Sequence, residues 1–177
     1  MHRRQPLPRL WLMTDERQGE RLWTAIEKLP RGSGIVFRHY RLEPSERRRV
    51  FEKVRRVAAR RRLLLILAGP PSLALAWRAD GAHGRSKPGA ARNLIQTAPA
   101  HDVGELRAAE RGGAHLVFLS PVYATRSHPK AKPLGRLRFA MLARGTRLPV
   151  IALGGVTQRR ARTLPGTYGW AGIDAWT

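Results

Sequence analysis

Short apolar runs recur along the chain, and between them apolar residues return every three or four positions. Leu10 to Thr14 (LWLMT) is the first run and predicts a strand. Leu22, Trp23, Ile26 and Leu29 then fall on one face of a 3.6-residue period, and Pro30 with Gly32 ends that helix. Gly34 to Tyr40 (GIVFRHY) predicts a second strand with Arg38 near its C-terminal end. Pro44, after Glu43, suits a first helical position, and Val50, Phe51, Val54, Val57 and Ala58 continue as one stripe. The opposite side of that helix is arginine (Arg47 to Arg49, Arg55, Arg56, Arg60 to Arg62), which predicts a solvated outer face.

The alternation continues to the C-terminus. Leu63 to Leu67 predicts a fully buried strand, followed by a short helix over Ser72 to Trp77. Asp80 to His83 is a very short strand, and the RSKPGAAR segment behind it is too broken for a full helix. Asn93 to Thr97 is the next strand. Asp102 with Glu105 marks a helix start, and Val103, Leu106 and Ala109 are the expected inner face. His115 to Ser120 predicts a strand, Pro121 to Leu134 a long loop, and Arg136 to Arg144 a helix facing inward through Leu137, Ala140 and Met141. Leu148 to Val156 (LPVIALGGV) reads as a buried strand ending on two glycines. A short helix from Thr157 and a last strand over Tyr168 to Ala175 complete the chain.

Eight strands separated by helical or shortened segments are the grammar of a parallel β/α barrel (TIM barrel), in the α/β class. The expected barrel is small, since about 250 residues are usual and this chain has 177. It has a trimmed fourth crossover and no eighth helix. A doubly wound open sheet is the alternative. One domain spanning 1–177 is expected, and a homodimer would bring a second copy to cover the groove that a missing eighth helix leaves.

Composition narrows the chemistry. No cysteine is present, so disulfides, thiolate metal sites and cysteine nucleophiles are excluded. The apolar runs are too short to cross a bilayer or serve as a secretory signal, which makes the cytoplasm the expected location and argues against a membrane partner. The formal charge is +22, with 34 basic residues against 12 acidic ones, and favours anionic ligands. Only five of the basic residues are lysine, and no zinc-finger, RNP or GxxG clamp pattern accompanies them, so nucleic acid is not the expected partner. A phosphorylated small molecule is. In β/α barrels the loops after the seventh and eighth strands commonly bind phosphate, which points to Gly154 and Gly155 and to the turn at Gly172 and Ile173. A structural reading stands beside it, in which the two glycines only turn the chain and admit close packing.

In this order the motifs LWLMTD, ADGAH, HDVGEL, SPVYATRS with a later PLG, LPVIALGG and GWAGIDA resemble the thiamine phosphate synthase and TenI (thiazole tautomerase) superfamily, from about Leu10 to Ala175. The resemblance implies a β/α barrel and a transferase of thiamine biosynthesis that couples a pyrimidine diphosphate to thiazole phosphate, with magnesium assisting departure of diphosphate. Of the second-strand Gln-x-Arg-x-Lys pattern only the arginine is present, as Arg38 between Val36 and Tyr40, and it is the implied diphosphate clamp. Thr125 and Ser127 match hydroxyls of the sixth-strand loop that bind substrate, and His128 stands at the lysine position as a candidate donor or proton shuttle.

The departures from the family pattern are informative. The third-strand Asn-Asp pair is replaced by Ala68 and Gly69, and the second metal-binding acid aligns with Lys87, so no metal ligand is assigned, and magnesium is the one cofactor left open by the resemblance, with its acids lost. Pro99 stands where the family has a serine, and Pro121 where the tautomerase branch has its histidine base. A structural role is expected for His83 and a helix-start role for His101. The alternatives to the transferase are a tautomerase and a phosphate-ligand-binding barrel without catalysis.

Overall fold

The structure is a computed structural model describing residues 6–85, 89, 93–125 and 131–176. Its strands are β1 (Leu10–Met13), β2 (Gly34–Phe37), β3 (Leu64–Ala68), β4 (Gly81–His83), β5 (Ile95–Ala100), β6 (Leu116–Leu119), β7 (Val150–Ala152) and β8 (Gly169–Gly172). They form a closed barrel in chain order. All neighbours are parallel, and β8 pairs with β1 through Leu10↔Trp170 and Leu12↔Gly172, which replaces the open-sheet alternative by closure. The helices are α1 (Arg21–Lys28), α2 (Pro44–Arg61), α3 (Pro71–Ala76), α4 (Val103–Arg111), α5 (Gly135–Arg144) and α6 (Gln158–Ala161). Among the described residues no helix lies between β4 and β5 and none follows β8. Among the described residues no helix is long and apolar enough to cross a membrane.

Strand alternation builds two cores, because successive side chains point to opposite faces. Trp11, Met13, Val36, Ile66, Leu116, Phe118 and Ile151 fill the barrel interior. Leu12, Ile35, Phe37, Leu65 and Leu67 pack outward with residues of α1 to α3, and Ala98, Val117, Leu119, Val150 and Ala152 with residues of α4 to α6. Trp11 needs the glycine opposite it: a Cβ on Gly34 would lie 2.2 Å from its ring. Its indole meets Phe118 edge-on at 5.3 Å. His83 also points inward, with Nδ1 3.0 Å from the Thr97 hydroxyl and its ring edge-on to Phe118. Burial pushes its pKa down to about 4, which fits a neutral structural residue.

Several local expectations are corrected. In α5 the buried residues are Phe139, Ala140 and Ala143, while Leu137 and Met141 are exposed. Val103 likewise faces out at the start of α4. Strand β5 begins and ends later than expected and runs through Pro99 to Ala100, which places His101 at its C-terminal mouth. Beside the β8–β1 pair the C-terminal segment adds packing of its own. Trp176 stacks on Trp170 at 4.9 Å, packs against both outer clusters and donates its indole N–H to the Trp11 carbonyl at 3.3 Å.

Candidate functional site

A cavity of about 430 Å³ opens at the C-terminal ends of the strands, where β/α barrels carry their chemistry. It brings together Arg38, Thr125, Gly154, Gly155, Gly172 and Ile173, all expected from sequence. Ser127 and His128 lie outside the described residues, as does Lys87.

Arg38 is held before any ligand arrives. Its Nε donates to the Thr14 carbonyl at 2.7 Å, its terminal nitrogen to Asp15 at 3.2 Å, and its backbone N–H to the Thr14 hydroxyl at 3.0 Å. Asp15 is engaged twice, since Arg17 also grips both its oxygens at 2.7 and 2.9 Å. The Arg17 bonds outweigh burial and hold the Asp15 carboxyl down to about 2. Burial lowers the Arg38 pKa while Asp15 opposes that effect, and a guanidinium keeps its charge across the physiological range.

On the opposite wall the glycines do two jobs. Gly154 and Gly155 have φ of +92° and +61°, where L side chains are strained, and a Cβ on either would come within 2.8 Å of Pro121 or 2.6 Å of the Ala124 carbonyl. The turn is thereby pressed onto the sixth-strand loop. Val122 and Tyr123 donate backbone N–H groups to the Leu153 and Gly154 carbonyls at 2.9 and 3.0 Å. Close packing and ligand access therefore belong to one arrangement. Gln18 fixes the neighbouring turn by donating to the Ile173 carbonyl at 2.8 Å.

The cavity also contains residues that sequence reasoning did not assign to it. Arg160 donates to the Gly155 carbonyl at 2.7 Å and lies over the Tyr123 ring at 4.7 Å, which adds a cation beside the glycine turn. A sequence signal existed in its position three residues after Thr157, the N-cap of α6. His101 lines the cavity too, with Nδ1 2.7 Å from Glu105. Its carbonyl-side neighbour Asp102 caps α4, so the expected helix start is present but His101 itself faces the ligand space.

The arginine-rich face of α2 is not uniformly solvated. Arg47 donates from Nε to the Arg38 carbonyl at 3.0 Å and from a terminal nitrogen to the Ala68 carbonyl at 2.7 Å. Its guanidinium lies 5.9, 5.6 and 5.5 Å from the ring centres of Phe37, Tyr40 and Trp77. This bears on magnesium, which requires several hard oxygen ligands. At the end of β3 there is no carboxylate, the Ala68 carbonyl already accepts from a cation, and Asp15 is shared between two arginines. Among the described residues no cluster of three or more His, Asp or Glu side chains could hold a metal. These residues do not fit magnesium.

Residues 10–175 match the family described as thiamine monophosphate synthase. The chain belongs to that family. It is 33% identical to "Putative thiamine-phosphate synthase 2" of Aquifex aeolicus, across 95% of this chain and 97% of that protein. It is 26% identical to a thiamine-phosphate synthase of Methanococcus maripaludis, across 84% and 75% of the two chains. Among solved structures, thiamine phosphate pyrophosphorylase from Pyrococcus furiosus superposes with a TM-score of 0.79 at 26% identity, covering 96% of this chain and 86% of that one. The barrel fold is thus shared with that structure.

Proposed function

We propose that this family member is a thiamine-phosphate synthase-like transferase, coupling a pyrimidine diphosphate to a thiazole phosphate. One observation carries the reading. A single cavity joins a clamped guanidinium at the end of β2 to the glycine turns after β7 and β8, so two anions can be held apart across one space. From β2 to β7 is three steps around the ring (β2 to β1, β1 to β8, β8 to β7).

In the reaction the bond between the pyrimidine methylene carbon and the diphosphate oxygen breaks, and its electron pair leaves with diphosphate. The thiazole ring nitrogen then supplies the pair for the new C–N bond. Arg38 holds the leaving group and stabilises its growing charge, which is the largest contribution a fixed donor can make. Thr125 and the turns at Gly154, Gly155, Gly172 and Ile173 orient the thiazole phosphate, with Arg160 beside them.

The test is to incubate the protein with both substrates and follow thiamine phosphate and released diphosphate. Product should form, and Arg38→Gln should lower kcat/KM by about 10²-fold. Tight binding of both substrates with no product overturns the transferase reading in favour of a binding barrel.

His101 supports a second reading, a thiazole tautomerase. His101 follows β5, which pairs with β6 up to Ala100↔Leu119, and it lines the same cavity as Pro121, the residue that the family resemblance matches to the tautomerase base. With Nδ1 engaged by Glu105, Nε2 is the ring nitrogen left to take a proton from a thiazole ring carbon and return it elsewhere on the ring. Isomerisation of a thiazole phosphate tautomer that disappears in His101→Gln would support this reading, and its persistence in that variant would remove it.

A further inference from the structure

The end of β3 presents an unusual charge arrangement. Arg47 is tied to two backbone carbonyls and stands among three aromatic rings, which fixes its guanidinium with little freedom left to lose. Among the described residues no carboxylate lies within ion-pair distance of it. Arg38 lines the cavity, and Arg47 stands behind it, bound to the Arg38 carbonyl. Among the described residues the carboxylate paired with Arg38 is Asp15, which Arg17 shares. Both guanidiniums are partly buried, and partial burial weakens solvent screening of their charge.

We propose that the diphosphate end of this cavity is a metal-independent anion site, in which Arg38 binds the anion and Arg47, as a positioning residue, fixes Arg38 and supplies a fixed positive charge of the kind that a carboxylate-held divalent cation would otherwise bring. The identity of the anion rests on the transferase reading above. One fixed positive charge substitutes for another. A divalent cation needs acids to hold it, whereas a guanidinium is held by carbonyls and rings, which are the groups present here. The Ala68 carbonyl illustrates the exchange, since the oxygen left at the third-strand position bonds a guanidinium. A magnesium ion placed there would meet two cations and no free carboxylate at the β3 end.

The test is calorimetric titration of the full chain with inorganic diphosphate, once in EDTA and once in millimolar magnesium. One diphosphate per chain should bind in EDTA. Magnesium should leave the Kd unchanged within about twofold or weaken it, because magnesium complexes diphosphate in solution and competes with the site. Arg38→Gln and Arg47→Met should each weaken binding by about tenfold, while Arg48→Gln, one residue along the same helix, should leave it within twofold and so exclude general attraction to a basic surface. If Arg47→Met does not fold, as circular dichroism would show, Arg38→Gln and the magnesium comparison decide alone. Binding seen solely with magnesium, binding at least tenfold tighter with it, or no binding in either buffer overturns the proposal. Thiamine phosphate formation is a separate readout. Turnover that requires magnesium would leave the transferase standing while removing this inference, and metal-free diphosphate binding without turnover would do the reverse.

Discussion

At the scale of single residues, the barrel interior is where the smallest change has the largest consequence. Gly34 faces the Trp11 ring with no room for a methyl group, so Gly34→Ala forces the indole off its position against Phe118. The expected cost is about 1–3 kcal/mol, read as a lower urea midpoint with an unchanged m-value. His83 links the same interior to pH. Its folded pKa of about 4 lies below the ordinary 6.5, so between those values the unfolded chain binds the extra proton. Stability is therefore complete above about pH 6.5, falls as pH drops toward 4, and levels off below that, with a total effect of at most about 3 kcal/mol. Burial lowers His39 as well, and it adds to the same window. Urea midpoints at pH 7.5 and 4.5 should differ markedly in the native protein and less in His83→Gln; equal differences in the two would show that His83 does not carry the effect.

At the scale of elements, the strands were legible because a barrel strand is buried on both faces and leaves a continuous apolar run, such as Leu64–Ala68. Helix faces were less so. Helix α5 carries Leu137, Phe139, Ala140, Met141, Leu142 and Ala143, apolar around most of its circumference, and packing rather than period selects Phe139, Ala140 and Ala143 for burial. That the glycine turn and Arg38 line one cavity was legible through the glycines after the seventh strand and through the place of Arg38 at a strand end and in the family pattern. Arg47 was not, because it reaches the Ala68 carbonyl 21 residues away and three rings, while Arg160 and His101 bond to groups close along the chain and line the cavity only once the barrel closes. The glycine turn yields a test at this scale. Gly155→Ala should cost about 1–3 kcal/mol and also weaken thiazole phosphate binding, since its methyl would push the Tyr123–Ala124 segment away. Gly32→Ala has a comparable positive φ of +78° but open space around it, so it should lose about 1–2 kcal/mol with ligand binding intact. Equal loss of binding in both would assign the effect to stability rather than to the turn.

At the scale of the whole molecule, scarce acids are shared. Asp15 serves Arg17 and Arg38, Glu27 serves Arg60 and Arg61, Glu52 serves Arg48 and Arg55, and Glu105 serves Arg85 and His101. Such pairing on exposed helices contributes little individually, because solvent screens it and long side chains lose freedom. It leaves the whole +22 formal charge unbalanced, and like charges distributed over a compact surface repel one another more than they do along an expanded chain. Two opposing effects of salt follow. Screening weakens the shared ion pairs, which lowers stability, and it weakens the general repulsion, which raises it. With 34 basic residues against 12 acidic ones the second effect should win. Going from about 0.01 to about 0.1 M sodium chloride shortens the screening length from about 30 to about 10 Å, which quenches repulsion across the molecule while pairs in direct contact are affected far less. The urea midpoint should accordingly rise over that range. Sodium chloride and sodium acetate at equal ionic strength should raise it equally, as neither anion is suited to the diphosphate site, whereas inorganic diphosphate should stabilise the native protein further and Arg38→Gln should lose that extra increment alone. A midpoint that falls with salt would mean that the shared ion pairs, rather than the net charge, dominate the electrostatics of this fold.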